Sequence, residues 1–443
     1  MRSAAGRLAA VDEANIVLDH VGQVNVFLVA CLLAQGGFVG GDGSPDLAAL
    51  RDVLRARIAS IPALRRVPIA SGRGHRWVEA APDLERHVRL IDPVDGLAGL
   101  QRRCGELMDV PLSLDSPPWE LLVVPGARAD GIGIVLRIHH AIADGMTAVA
   151  IVRHLFDQVE PDAAPTAAPS ASPATGSGSG SAAPWHPFSG SAHFFRRIAY
   201  GLRRIVIILF GRGIGPTVLL GERGPQRGVA FVDADLAALE ARAHPLGATV
   251  NDALLSAVAA GYIAALRAAG AELLTDVPVS VPVALRRRGT SGNQVGVMLV
   301  RLPLGEGDSV ARLRLIAERT VKEKARAREQ GTLELMRGPR GARIMNRLAH
   351  RQHIVAGFVT NVPGPSERLR LAGARVDAMW PVSVLAANVR LGVAALSYAG
   401  TLRCGIHFDA TAVPGDVFAE AMRRELARLT GSAAGPWAPG DVP

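Results

Sequence analysis

The residues best suited to chemistry are His139-His140-Ala141-Ile142-Ala143-Asp144-Gly145, two adjacent histidines followed at a short interval by Asp-Gly. A neutral imidazole takes a proton from an alcohol near neutral pH, which is general-base work. The glycine after the aspartate lets the backbone turn without a Cβ penalty. A metal would need further ligands at helix or knuckle spacing, and the sequence offers none, so no metal is expected.

Such a group must be held rigidly and left open on one side. The apolar run Ile132 to Ile138 predicts a strand leading into the motif, and Met146 to Gln158 predicts a helix after it. Strand, tight loop and helix would therefore place the histidines where the strand runs out, a position that fixes side chains while exposing them to a substrate.

The other elements follow from periodicity. Val24 to Ala30 predicts a strand buried on both faces, and Asp46 to Ile61 an amphipathic helix ended by Pro62. Leu121 to Val124 pairs naturally with the strand that delivers the motif. Trp119, in a proline-bearing loop, is read as a packing residue. In the second half, Val229 to Asp233 reads as a strand, and Ala248 to Ala268 as a helix capped by Thr249 or Asn251. Asp276 to Arg288 alternates valine and proline, which suits an extended segment better than a central ladder strand. Asn293 to Leu302 is a further strand, and Asp308 to Gln330 a long charged helix. These elements make a mixed α/β protein.

Composition limits the partners. The chain has 443 residues, 49% of them hydrophobic, enough for two folded domains. Residues 161–190 are rich in Pro, Ala, Ser and Gly and read as a flexible linker between residues 1–160 and 191–443. A net charge of +9 favours anionic partners such as CoA phosphates or an anionic membrane. No basic stripe interleaved with aromatics is present, so nucleic acid is not expected. The three cysteines are widely spaced, which argues against a disulfide framework and fits the cytoplasm. No apolar run is long enough to span a bilayer. The segment His193 to Phe210 gathers apolar residues on one helical face and four arginines on the other, which predicts either a packed core helix or peripheral contact with a membrane.

Several segments then agree. The His139–Gly145 motif, Asn251-Asp252, Pro282 to Arg286, Gly292-Asn293, Thr360 to Pro365 and Ser397 to Gly400 occur in the order seen in bacterial wax ester synthase/diacylglycerol acyltransferases, and the whole chain resembles that family. One departure stands out: the family's Pro-Leu-Trp appears as Pro117-Pro118-Trp119.

The resemblance implies two chloramphenicol-acetyltransferase-like domains with a substrate tunnel at their interface. It implies acyl transfer from acyl-CoA to a long-chain alcohol or diacylglycerol, without a cofactor, with His140 as base and His139 and Asp144 beside it. It also implies an ion pair between Asp144 and Arg286. Gly145, Asn251, Asp252, Asn293 and Asn361 are expected along the tunnel. Peripheral contact with the inner face of the cell membrane or with lipid droplets is expected. Alternatives are a polyketide, glycolipid or amine acceptor, or a lipid-binding homologue with weak turnover.

Overall fold

The computed structural model describes residues 6–19, 23–72, 74–158, 213–215, 217–285, 294–330 and 349–431. The linker, the His193–Phe210 segment, Arg286 and Asn293 lie outside the described residues.

The first half runs α1 (Ala10–Asp19), β1 (Val26–Ala34), α2 (Leu47–Ile58), β2 (Arg66–Ser71), β3 (Gly74–Glu79), a short α3 (Leu84–His87), β4 (Val88–Leu90), α4 (Gly96–Leu107), β5 (Trp119–Arg128), β6 (Gly131–His139), α5 (Gly145–Leu155) and β7 (Asp157–Gln158). The second half runs β8 (Arg227–Asp235), α6 (Leu236–Ala243), α7 (Val250–Ala268), β9 (Asp276–Leu285), β10 (Gln294–Pro303), α8 (Ser309–Gln330), β11 (Gly357–Pro363), β12 (Leu369–Leu371), β13 (Ala374–Val382), β14 (Leu391–Tyr398), β15 (Thr401–Asp409) and α9 (Gly415–Thr430).

Local chemistry explains several boundaries. Asp46 starts α2 by accepting the Ala49 N–H at 2.9 Å, and Leu50, Leu54 and Ile58 recur at helical spacing on its buried face. Thr249 and Asp252 form a reciprocal capping box at the start of α7. Strand β1 is buried along both faces, as its unbroken apolar run predicts.

Two sheets result. The first has the order β4-β5-β6-β1-β13-β12-β7, and the second β10-β9-β11-β14-β15-β8. The first sheet is therefore completed by β12 and β13 from the second half of the chain. Leu28 pairs with Val382 and Leu33 with Val376, so β13 lies directly against the strand that borders the motif strand. One core lies under α2 and α5, and another between the second sheet and helices α7 and α9. A third fills the seam between the sheets, with Leu28 and Leu32 of β1, Trp380 of β13 and Phe231 of β8.

The reading of Asp276 to Arg288 needs correction. Strand β9 pairs with β10 along its whole length and lies inside the sheet. Its prolines are tolerated because of their direction. The Pro278 carbonyl accepts from Ala356 N–H beside β11, so the missing donors of Pro278 and, four residues on, Pro282 face β11. The ladder on that side is confined to Val279 and Ser280.

Candidate active site

Strand β6 ends at His139, and α5 begins at Gly145. The two histidines have different surroundings. His139 is fully buried. Its Nδ1 accepts the Ala141 N–H at 3.0 Å, so Nε2 carries the proton and donates to Asp19 Oδ2 at 2.8 Å. Both ring nitrogens are occupied, and this residue fixes the loop.

His140 is half-buried, with its ring edge-on to Phe27 at 4.9 Å. Its backbone is pinned from both sides: the His140 N–H donates to the Asn25 carbonyl, and the Asn15 amide donates to the His140 carbonyl. Asn25 in turn donates to Asn15 Oδ1 at 2.8 Å, and its N–H donates to Asp19 Oδ1. Burial, and next the neighbouring His139, push the His140 imidazole down to about 4, against the opposing pull of Asp144 and the Ala143 backbone. The ring is therefore neutral at pH 7, with its lone pair free to accept a proton, though it is a weaker base than a free imidazole.

Asp144 is exposed and caps α5, accepting the Thr147 N–H at 2.8 Å. Its expected partner Arg286 lies outside the described residues. Arg66 reaches the same loop, donating to the Ile142 carbonyl at 3.4 Å. Trp119 takes the packing role expected of it: it is 2% exposed and donates to the Leu64 carbonyl.

The motif faces the second sheet. A Cβ on Gly145 would meet Val362 Cγ2 at 3.2 Å, which brings the start of α5 against the Asn361-Val362-Pro363 stretch. On β9, β11 and β14 the residues Val279, Val359, Val393 and Ala395 join the core on the helix side. The alternate residues Ser280, Phe358, Thr360 and Val362 face the first half and are partly exposed. Strand β11 pairs with β9 only at Gly357 and Phe358, so Thr360 and Val362 lie where the two strands part, beside the motif.

The other expected tunnel residues fall as follows. Asn361 lies opposite Ala395 in the register, so alternation turns it to the helix side, away from Thr360 and Val362. Asp252 is 4% exposed, and its carboxylate accepts from Thr249 and from Thr320 Oγ1 at 2.7 Å, the work of a helix cap. Asn251 is half-buried one position before it. Two surface grooves, one beside Arg267 and Arg428 and one beside Arg55 and Arg65, contain no motif residue.

Sequence reading missed Asn15, Asp19, Asn25 and Arg66. A signal was present for the first two. Asn15 and Asp19 stand four apart on one face of α1, where their side chains reach a common target.

Two family models match the chain: the wax ester synthase/diacylglycerol acyltransferase catalytic domain over residues 8–254 and the corresponding C-terminal domain over residues 291–430. A Mycobacterium tuberculosis protein named as a candidate diacylglycerol O-acyltransferase is 30% identical over 366 residues, 75% of each chain. Another from the same organism is 28% identical over 341 residues, covering 70% of this chain but 66% of its own length. Among solved structures, the wax ester synthase/diacylglycerol acyltransferase from Marinobacter aquaeolei VT8 superposes with a TM-score of 0.70 at 20% identity, over 96% of this chain and 100% of that one. The first condensation domain of the CDA synthetase gives 0.57 at 20% identity, over 98% and 97%. These two likenesses are of fold, a two-sheet α/β architecture of the chloramphenicol-acetyltransferase kind. The catalytic-domain match alone spans more than half of the residues, and the chain belongs to the wax ester synthase/diacylglycerol acyltransferase family.

Proposed function

We propose that the chain transfers a fatty acyl group from acyl-CoA to the hydroxyl of a long-chain alcohol or diacylglycerol, giving a wax ester or triacylglycerol. The observation that carries this reading is His140: a neutral, half-buried imidazole, pinned through its backbone, in a loop that meets the second sheet at Val362, where β9 and β11 part.

An alcohol is a poor nucleophile at pH 7. As its oxygen bonds to the thioester carbon, its proton passes to His140. The tetrahedral oxyanion then collapses, the carbon–sulfur bond breaks, and the departing thiolate takes the proton from the imidazolium. An imidazole held near 4 returns that proton readily to a thiolate. Asp19 and His139 act as positioning residues, because they hold the backbone turn that carries His140. No serine or cysteine nucleophile is needed; the three cysteines are buried, and burial pushes their thiols up and keeps them protonated.

The test uses the full chain with labelled palmitoyl-CoA and hexadecanol, diacylglycerol, a long-chain amine or water as acceptors. His140→Ala is expected to lower ester formation about a hundredfold to ten-thousandfold while circular dichroism stays unchanged. Turnover of a folded variant at the wild-type rate would remove His140 from the role of base. Preference for the amine would favour the condensation-like reading, and absence of turnover in the wild type the lipid-binding one.

Such acceptors and products partition into lipid, and the net charge of +9 suits an anionic surface. Among the described residues no single helix is long and apolar enough to cross a membrane. Contact with the membrane or a lipid droplet is therefore proposed as peripheral. Flotation with anionic liposomes that weakens at high salt is the expected result, and no flotation at low salt would refute it.

A further inference from the structure

The groove beside Arg267 and Arg428 lies on the outer side of the second half and has a volume of about 310 Å³. One of its walls is α7. That helix carries two charged residues, Asp252 and Arg267, in 19 positions. Leu254, Val258, Tyr262 and Leu266 turn into the core against the second sheet. Ala260, Ile263, Ala264 and Arg267 recur at helical spacing on the opposite side, and all four are partly or fully exposed. A surface helix normally turns polar residues outward, so an apolar outer face needs a neighbour to cover it. Leu273, Leu304 and, from α9, Ala421 complete the apolar lining. Gly305 and Gly307, between β10 and α8, leave the groove open: a Cβ on either would meet nothing within 4 Å.

The polar lining sorts into spent and unspent groups. Arg312 and Glu425 are 4% and 1% exposed and pair at 2.6 Å, with Ser256 and Ser309 bonded into the same cluster. This pair cancels its own charge. Glu306 accepts the Asp308 N–H at 3.0 Å. Three guanidiniums remain. That of Arg267 has no partner among the described residues. Arg428 is 70% exposed and lies 3.6 Å from Glu425 Oε2, beyond hydrogen-bond reach. Arg424 spends one nitrogen on Glu420. Arg424 and Arg428 stand four apart on α9, so both reach the same groove. Outside the buried pair, the lining therefore sets three cations against the single carboxylate of Glu306.

An apolar trough with unspent guanidiniums calls for a ligand with an aliphatic chain and an anionic end. The volume narrows the choice. It is at the lower end for ligand pockets, with room for a head and the first part of one chain but not for CoA or a two-chain lipid. A guanidinium fork matches a carboxylate with two parallel hydrogen bonds. We propose that this groove binds a fatty carboxylate, at a place separate from acyl transfer. The acid is what hydrolysis of an acyl thioester by water leaves, together with the free thiol. The body of α7 and the second sheet stand between it and the motif, which meets that sheet on its other face at Val362. A chain held here is out of reach of His140.

The experiment is calorimetry with the full chain and decanoate below its micelle concentration, with decyl phosphate and decyltrimethylammonium as controls. Decanoate is expected to bind best, the cation not at all, and salt should weaken binding. Arg267→Gln and Arg428→Gln should each raise the Kd about twofold to fivefold, the effect of one exposed ion pair. Ala264→Trp fills the groove from its exposed side and should abolish binding; Ala421→Trp serves the same end if the first variant does not fold. Ester formation without decanoate should stay at the wild-type rate in these variants, and His140→Ala should bind decanoate as the wild type does. Loss of binding in His140→Ala would place the acid at the reacting site and overturn the proposal. So would equal affinity for decanoate and the cation, binding of decyl phosphate alone, or a Kd indifferent to both Ala264→Trp and Arg267→Gln. Tighter binding in Trp437→Ala would give the groove to the chain's own segment after α9, and overturn it as a ligand site.

Discussion

Two stretches of the same interface behave in opposite ways. Beneath β13 the second sheet is sealed. Trp380 is 1% exposed and stacks on Phe231 at 4.6 Å, nearly parallel. Its indole N–H donates to Asp233 at 2.6 Å, and Arg403 reaches both Asp233 and the Asp377 carbonyl. At β9 and β11 the same face of the same sheet is partly exposed at Ser280, Phe358, Thr360 and Val362, and the two strands part after Phe358. The difference comes from what lies over them: β13 with its tryptophan in one place, the glycine-bearing turn of the motif in the other.

Substitutions on the two sides should therefore separate stability from turnover. The largest effect is expected at the seam. Trp380→Ala removes a fully buried aromatic and should cost about 3–5 kcal/mol of folding stability, read as a lower urea midpoint. A shift under about 1 kcal/mol would show that the seam is less tightly packed than the stacking implies. Next comes β11. Thr360→Trp should leave the urea midpoint nearly unchanged but lower ester formation roughly tenfold to a hundredfold by displacing the substrate. If stability fell instead, Thr360 would belong to the core.

The smallest effect concerns pH. The neutral imidazole is the active form, and His140 in the fold sits near 4, below an ordinary histidine at about 6.5. The kcat/KM profile should therefore stay level from pH 8 to about 6 and fall only on approach to pH 4. A limb centred near 6.5 would place the base in a more solvated setting. The sign for stability follows from the same shift. The folded chain resists protonation of His140 and His407, whereas the unfolded chain does not, so their contribution is full above about pH 6.5 and is lost as pH falls toward 4 and 3.

Much of this arrangement was legible in the residues. The unbroken apolar run of β1, the run of β6 interrupted only by Arg137, and the helical spacing of α2 reported local structure correctly, because burial demands those patterns whatever the fold. The strand–loop–helix setting of His140 was legible for the same reason. Strand β9 was misread because a proline's effect depends on which neighbour it faces, and that is set by β11, a tertiary partner. The division of labour between the histidines was also hidden. It depends on Asp19, more than a hundred positions away, reaching His139 and not its neighbour. For Asn361 and Asp252 the motif marks a neighbourhood only: alternation turns the first to the helix side, and a helix cap engages the carboxylate of the second.

The late arrival of β13 has a consequence for how the chain is made. Strand β1, with the sequence Val-Phe-Leu-Val-Ala-Cys-Leu-Leu-Ala, is synthesised near the start, and the strand that covers its edge near the end. At about 5–20 residues per second the ribosome takes on the order of tens of seconds to bring the second to the first. Throughout that time an apolar edge with unpaired backbone groups is available to any passing strand. The newborn first half is then a client for a holdase chaperone, and its yield in a foreign host should depend more on chaperone supply than on the stability of the finished fold.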